Sequence, residues 1–138
     1  MPGNDPFVVL VVEDDLDARR MCALYLASKG CTVFEAADGR SGIDEAIDLR
    51  PDLIVLDLAM PRVDGWTALS RLRASSWTMD IPVVVVSAVP DVRDEVLRLG
   101  ADACLEKPCS PEVLWYQIRG LMRVGPHVRD RVKRFAAH

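Results

Sequence analysis

Residues 52–65 read DLIVLDLAMPRVDG. Leu53 to Leu56 is a short branched, apolar run that stops at a carboxylate, Asp57, and leads into a loop holding Pro61 and Gly65. A run without polar alternation suits a strand covered on both faces, since odd and even side chains both meet core. Phe7 to Val12 and Ile81 to Val86 have the same form, and each also ends in polar residues. Two weaker candidates, Thr32 to Ala36 and Ala103 to Glu106, each follow a glycine, Gly30 or Gly100, placed as a helix C-cap would be. The spacing predicts five strands.

Helical spacing fills the gaps. The first helix carries Leu16, Met21, Leu24 and Tyr25 with Ala18 and Cys22, and the second Ile43, Ala46 and Ile47. Trp66, Leu69 and Leu72 mark a third, Val92, Val96, Leu97 and Leu99 a fourth, and Val113, Leu114, Ile118 and Leu121 a fifth. Asp38, Asp91 and Ser110 are placed as N-caps, and Pro111 suits a first helical turn. Strict alternation of strand and helix implies right-handed βαβ units, hence a parallel sheet with helices on both faces. The predicted class is α/β, a doubly wound three-layer sandwich.

The chain has 138 residues, enough for one domain with a full core, and is 50% hydrophobic and 28% charged, as soluble globular proteins are. The expected division is a lead over residues 1–6, a domain over 7–123 and a basic tail or linker start over 124–138. No apolar run approaches the ~18 residues that cross a bilayer, and the start lacks signal-peptide form, so a cytoplasmic location is expected. The net charge of −4 gives no reason to expect direct nucleic-acid binding, although the tail gathers Arg129, Arg131, Lys133 and Arg134. Cys22, Cys31, Cys104 and Cys109 form no CxxC pair, and the histidines are His127 and His138 alone. The cysteines therefore read as small core hydrophobes rather than zinc ligands.

In open sheets of this kind the working crevice lies beyond the carboxyl ends of the strands. Those ends bring Glu13, Asp14 and Asp15, then Asp57, Ser87 and Lys107 to one rim. Carboxylates so close repel one another, and a hard cation such as Mg²⁺ with oxygen ligands is the simplest way to hold them ionised. Asp57 could then act as a nucleophile toward phosphorus, with Mg²⁺, Lys107 and Ser87 each taking one phosphoryl oxygen. Each residue taken alone has a plainer reading. Asp57 could be a solvated loop cap, Glu13 to Asp15 an acid cluster at a helix N-terminus, Ser87 a turn residue and Lys107 a surface lysine. Their joint occurrence at four strand ends argues otherwise.

With these residues in view, the chain resembles the response-regulator receiver family of bacterial two-component systems. The matching segments are VVLVVEDD (8–15), DLIVLDLAMPRVDG (52–65), IPVVVVSA (81–88) and GADACLEKPCSP (100–111), and the likeness runs from about Phe7 to Met122. The resemblance implies a flavodoxin-like (βα)5 sheet in the order 2-1-3-4-5. It also implies that Asp57 is the phosphoacceptor and that Asp14, Asp57 and the Ala59 backbone carbonyl ligate Mg²⁺, with Glu13 acting through water. Ser87 becomes the switch hydroxyl and Lys107 the phosphoryl-stabilising lysine, with Pro108 after a cis bond that aims Lys107 at Asp57; Pro61 and Gly65 match the loop beyond the acceptor. The implied partners are a sensor histidine kinase or phosphotransfer protein and a downstream protein met through the fourth and fifth helices. Such a domain is the substrate and the switch rather than an ordinary enzyme.

Departures from the family bear on output. Cys104 stands where Tyr or Phe is usual, and Cys109 where Phe is common, so switching is expected through Ser87 and the loop from Ala88 to Asp91 with no large side-chain rotation at Cys104. Ala103, Val113 and Gln117 replace charged residues that support dimerisation in one class of the family, while Asp102 remains. Of Trp115 and Tyr116, one is expected to pack inward; the other reading is a docking surface. A single-domain regulator is the favoured role. The alternatives are the receiver segment of a longer transcriptional or enzymatic regulator, and a phosphohydrolase forming an aspartyl phosphate, which would want a second carboxylate where Ala59 stands.

Overall fold

The computed structural model describes residues 6–60 and 63–122. Met1 to Asp5, the loop position Pro61 and the tail from residue 123, with its basic cluster and both histidines, lie outside the described residues. The elements are β1 (Val8–Val12), α1 (Leu16–Ser28), β2 (Thr32–Ala36), α2 (Gly39–Leu49), β3 (Leu53–Asp57), α3 (Gly65–Ala74), β4 (Val83–Ser87), α4 (Arg93–Arg98) and β5 (Ala103–Glu106). A fifth helix, α5, runs over residues 111–122. The strands form one parallel sheet in the order β2-β1-β3-β4-β5. This is the doubly wound α/β sandwich that the alternation of strand and helix predicts, in the flavodoxin-like order that the family resemblance implies.

The pleat sorts the core into two halves. Leu10, Val12, Ile54, Leu56, Val83 and Val85 pack with residues of α2, α3 and α4. Their neighbours Val9, Val11, Leu53, Val55 and Val84 pack with Leu26 of α1 and with Leu114 and Ile118 of α5. Every residue of β3 is buried, which explains its unbroken apolar reading. A period of two also places Glu13 and Asp57, one residue past Val12 and Leu56, toward the α1 and α5 side.

Helix ends follow local chemistry. Asp38 accepts from the Ser41 amide at 2.8 Å, and Ser110 Oγ from the Val113 amide at 3.3 Å, as N-caps should. Gly30 and Gly100 sit at φ of 95° and 111°, the left-handed region that a residue past a helix end adopts cheaply only as glycine. The expected cap at Asp91 is not formed. Helix α4 starts after Val92 with no side-chain cap, and Asp91 takes φ 58°, a left-handed turn conformation that a short polar side chain tolerates. Asp15 and Asp64 do cap α1 and α3, each accepting an amide at 2.8 Å.

The apolar stripe of α1 also differs from the expectation. Leu16, Met21 and Leu24 are exposed, whereas Ala23 and Leu26 are buried and Cys22 and Tyr25 are half-buried against the sheet. The inward face is the 22–26 ridge, so three large residues lie on the outer face. On α5 Trp115 packs on the core and Tyr116 is 74% exposed.

At the opposite rim, Arg73 donates to the carbonyls of Gly100 and Ile81, both at 2.9 Å, and pairs with Asp102 at 3.2 Å. Asp102 in turn accepts the Val83 amide at 2.8 Å. The carboxylate that sequence comparison would leave for dimerisation is thus engaged inside the fold. Among the described residues no helix is long and apolar enough to cross a membrane.

Candidate phosphoacceptor and metal site

Strand β1 delivers the first acids. The Glu13 amide donates to the Ala36 carbonyl at 3.1 Å, extending the ladder one residue past the strand, and the residue is 7% exposed. Asp14 follows in the open, and Asp15 is taken up as the α1 cap. Strand β3 ends on Asp57, 6% exposed, whose Oδ1 accepts the Ala59 amide at 3.3 Å. One carboxylate oxygen each of Glu13, Asp14 and Asp57 falls within 4.8 Å of the others. That is a hard, all-oxygen donor set of a size that suits a small divalent cation.

Lys107, at the end of β5, is the ammonium partner of this group. Its Nζ lies 2.8 Å from Glu13 Oε1 and 3.6 Å from Asp57 Oδ2. Burial by itself would lower its pKa, but the hydrogen bond to Glu13 and the charges of Asp57 and Glu13 outweigh that and raise it above 10.5, so the ammonium stays charged. The Lys107 amide donates to the Ser87 carbonyl at 2.8 Å, and the Lys107–Pro108 bond is cis. Three acids against one ammonium leave an excess of negative charge, which a cation relieves.

The loop beyond Asp57 is closed by Gly65. Its amide donates to the Leu58 carbonyl at 2.9 Å, and a Cβ there would come within 2.3 Å of the Asp57 carbonyl oxygen and of Leu58 Cα. Only glycine lets the start of α3 approach the end of β3 this closely.

Ser87 is 1% exposed, with Oγ accepting the Val89 amide at 2.9 Å. Beside it is a cleft of about 210 Å³ bordered by Asp91, Arg93 and Cys104. Cys104 is buried in the core half shared with α4, and its carbonyl accepts from Arg93 Nη1 at 2.8 Å. A larger groove of about 580 Å³ runs from Glu13, Asp57 and Lys107 between α1 and α5, past Cys22 and Leu114. All four cysteine thiols are pushed up by burial, Cys22 to about 12.

Sequence reasoning missed Arg19. Its Nη1 donates to the Glu13 carbonyl at 2.9 Å, and its Nε pairs with Glu35 of β2 at 3.2 Å. The signal was available in part: helical spacing sets Arg19 one turn after Asp15, over the loop that holds the acids.

Comparison with known proteins gives the same picture. The profile of the response regulator receiver domain matches residues 9–119. The chain is 36% identical over 132 residues to the DNA-binding dual master transcriptional regulator RpaA of Synechocystis, covering 94% of this chain and 53% of that protein. It is 38% identical over 117 residues to the phosphate regulon transcriptional regulatory protein PhoB of Escherichia coli, covering 83% of this chain and 51% of that one. The chain therefore spans about half the length of the curated relatives it matches. Among solved structures, the chemotaxis protein CheY4 of Vibrio cholerae superposes with a TM-score of 0.79 at 29% identity, over 85% of this chain and 99% of that one. A profile that takes in most of the chain, together with relatives that share its sequence and a solved structure that shares its sheet, makes the assignment plain: the chain belongs to the family of response regulator receiver domains of two-component systems.

Proposed function

We propose that Asp57 accepts a phosphoryl group from a phosphohistidine on a sensor histidine kinase or phosphotransfer protein, and that the modified domain then changes its contacts with a downstream protein. The observation that carries this reading is the buried Asp57 carboxylate, with ligand atoms of Glu13 and Asp14 within 4.8 Å and the Lys107 ammonium at 3.6 Å. A carboxylate oxygen of Asp57 forms the O–P bond as the N–P bond of the donor breaks, and the departing imidazole is left to take a proton from solvent.

Asp14, Asp57 and the Ala59 carbonyl would hold Mg²⁺ directly and Glu13 through water, a role that their hard oxygens fit. The bound ion supplies charge neutralisation for the transferring group. The chain's own residues do the rest. Asp57 presents the nucleophilic oxygen, and Lys107 stays protonated and offers an N–H to a phosphoryl oxygen. Ser87 trades its bond with the Val89 amide for one to another phosphoryl oxygen. That exchange loosens the turn from Ala88 to Asp91 and is read on the faces of α4 and α5.

Incubation with a small phosphodonor and Mg²⁺, followed by intact mass, tests this directly. A single phosphoryl adduct in the wild type and none in Asp57→Asn is the expected result. Equal adduct in both proteins would remove Asp57 from the role.

One setting is a single-domain regulator that signals by binding proteins, a chain of the extent of CheY4, 99% of which this chain covers. A second setting is favoured by the length of RpaA and PhoB, of which this chain spans about half: the receiver segment of a longer regulator, acting on an attached domain. Reading the coding sequence past His138 separates the two.

A further inference from the structure

Asp14 is exposed, and among the described residues no hydrogen bond or ion pair holds its carboxylate. What the fold fixes is therefore the starting point of the side chain, the backbone at Asp14, and the peptide unit that leads into it is the one whose oxygen is the Glu13 carbonyl. A peptide is planar, so fixing that oxygen fixes the N–Cα bond from which Asp14 projects. Arg19 Nη1 holds the oxygen at 2.9 Å, while Glu35 anchors the same guanidinium through Nε at 3.2 Å. The amide of Glu13 is tied to Ala36 of the same strand, β2, at 3.1 Å. Arg19 is largely covered, its side chain 13% exposed and that of Glu35 25%. Arg20 also reaches Glu35, at 3.5 Å, but from a side chain that is 61% exposed.

We propose that Arg19, anchored by Glu35, is a positioning residue for the metal site, and that it sets the affinity for a divalent cation by orienting Asp14. This rests on the reading of Glu13, Asp14 and Asp57 as a cation site. Simple charge and geometry make opposite demands, which is what makes the inference testable. A cation beside a metal site repels the metal, so removing Arg19 by charge alone would tighten binding. Losing the grip on the Glu13 carbonyl lets Asp14 swing and would weaken it. Residues that hold metal ligands in place typically carry about 10–100-fold in affinity when removed.

The test is calorimetric titration of the full chain with MgCl₂ alone, without phosphodonor, well below the urea midpoint of each variant. Arg19→Gln should weaken Mg²⁺ about ten-fold. Arg19→Lys should recover part of that loss, since one N–H can still reach the carbonyl without the fork to Glu35. Glu35→Gln leaves Arg19 in place but unanchored and should weaken binding by a smaller factor; it also serves if Arg19→Gln does not fold. A merely structural role would lower the urea midpoint and leave the Kd of the folded protein unchanged, and that result overturns the inference, as does tighter binding in Arg19→Gln. Asp57→Asn separates the two levels. If the wild type binds no Mg²⁺, or binds it as well without Asp57, the cation-site reading fails and takes the inference with it. Asp57-dependent binding that ignores Arg19 and Glu35 sinks the inference alone.

Discussion

The Lys107 ammonium sits closer to Glu13, at 2.8 Å, than to Asp57, at 3.6 Å. In this state the lysine serves mainly to neutralise the acidic pair, and it competes with a cation for the same oxygens. Lys107→Ala should therefore bind Mg²⁺ several-fold more tightly in titration while giving less Asp57 adduct with a small phosphodonor. Without metal the variant leaves its acids unneutralised, so its urea midpoint should fall, and adding Mg²⁺ should restore much of the difference.

Ser87→Ala separates phosphorylation from its consequence. Asp57, the proposed acceptor, the other acids and Lys107 are untouched, so the intact-mass adduct should persist. The Val89 amide loses the oxygen it donates to, at a cost of about 1 kcal/mol. Its hydrogen exchange should then be faster than in the wild type before phosphorylation, and should change little after it.

Gly65→Ala would set a methyl group within 2.3 Å of backbone atoms of Asp57 and Leu58. Neither neighbour is a flexible side-chain end, so the loop itself must move. A loss of about 2–3 kcal/mol in urea unfolding is expected, together with weaker Mg²⁺ binding by calorimetry.

The Cys22 thiol is raised to about 12 by burial first and by the charge of Glu13 next, and Cys31, Cys104 and Cys109 are raised by burial as well. A thiol that keeps its proton in the folded chain but loses it when unfolded makes stability fall with rising pH. For Cys22 the fall begins near the ordinary value of 9.0 and continues to about 12. Urea midpoints between pH 8 and about 10.5 should decline, and less steeply in Cys22→Ala. Alkylation by iodoacetamide at pH 8 should be slow in the native protein and fast in urea.

Much of the architecture was legible because the strands are covered on both faces, and such strands read as unbroken Val, Ile and Leu. The rim residues could be placed because a strand end is a topological fact once the alternation is known. Helix α1 was harder. Leu16, Met21 and Leu24 offer an apolar pattern as regular as the buried one, and only the packing on β1 and β2 shows which ridge turns inward. Asp91 misled for a local reason: an aspartate before a helix suits a cap and a left-handed turn equally well, and here the turn won. Arg19 escaped notice because its partner is a backbone carbonyl, which has no signature in side-chain chemistry.

The guanidinium of Arg73 works as a stitch. It joins the end of α3 to the entries of β4 and β5 through Gly100, Ile81 and Asp102, all on the rim away from Asp57. The domain is clamped at the end of its sheet away from Asp57, like a fan held at the pivot. Under the proposed switch, a rearrangement that began at Ser87 would work against that fixed end, and a shift at Asp57 would be carried toward α4 rather than spread through the whole sheet.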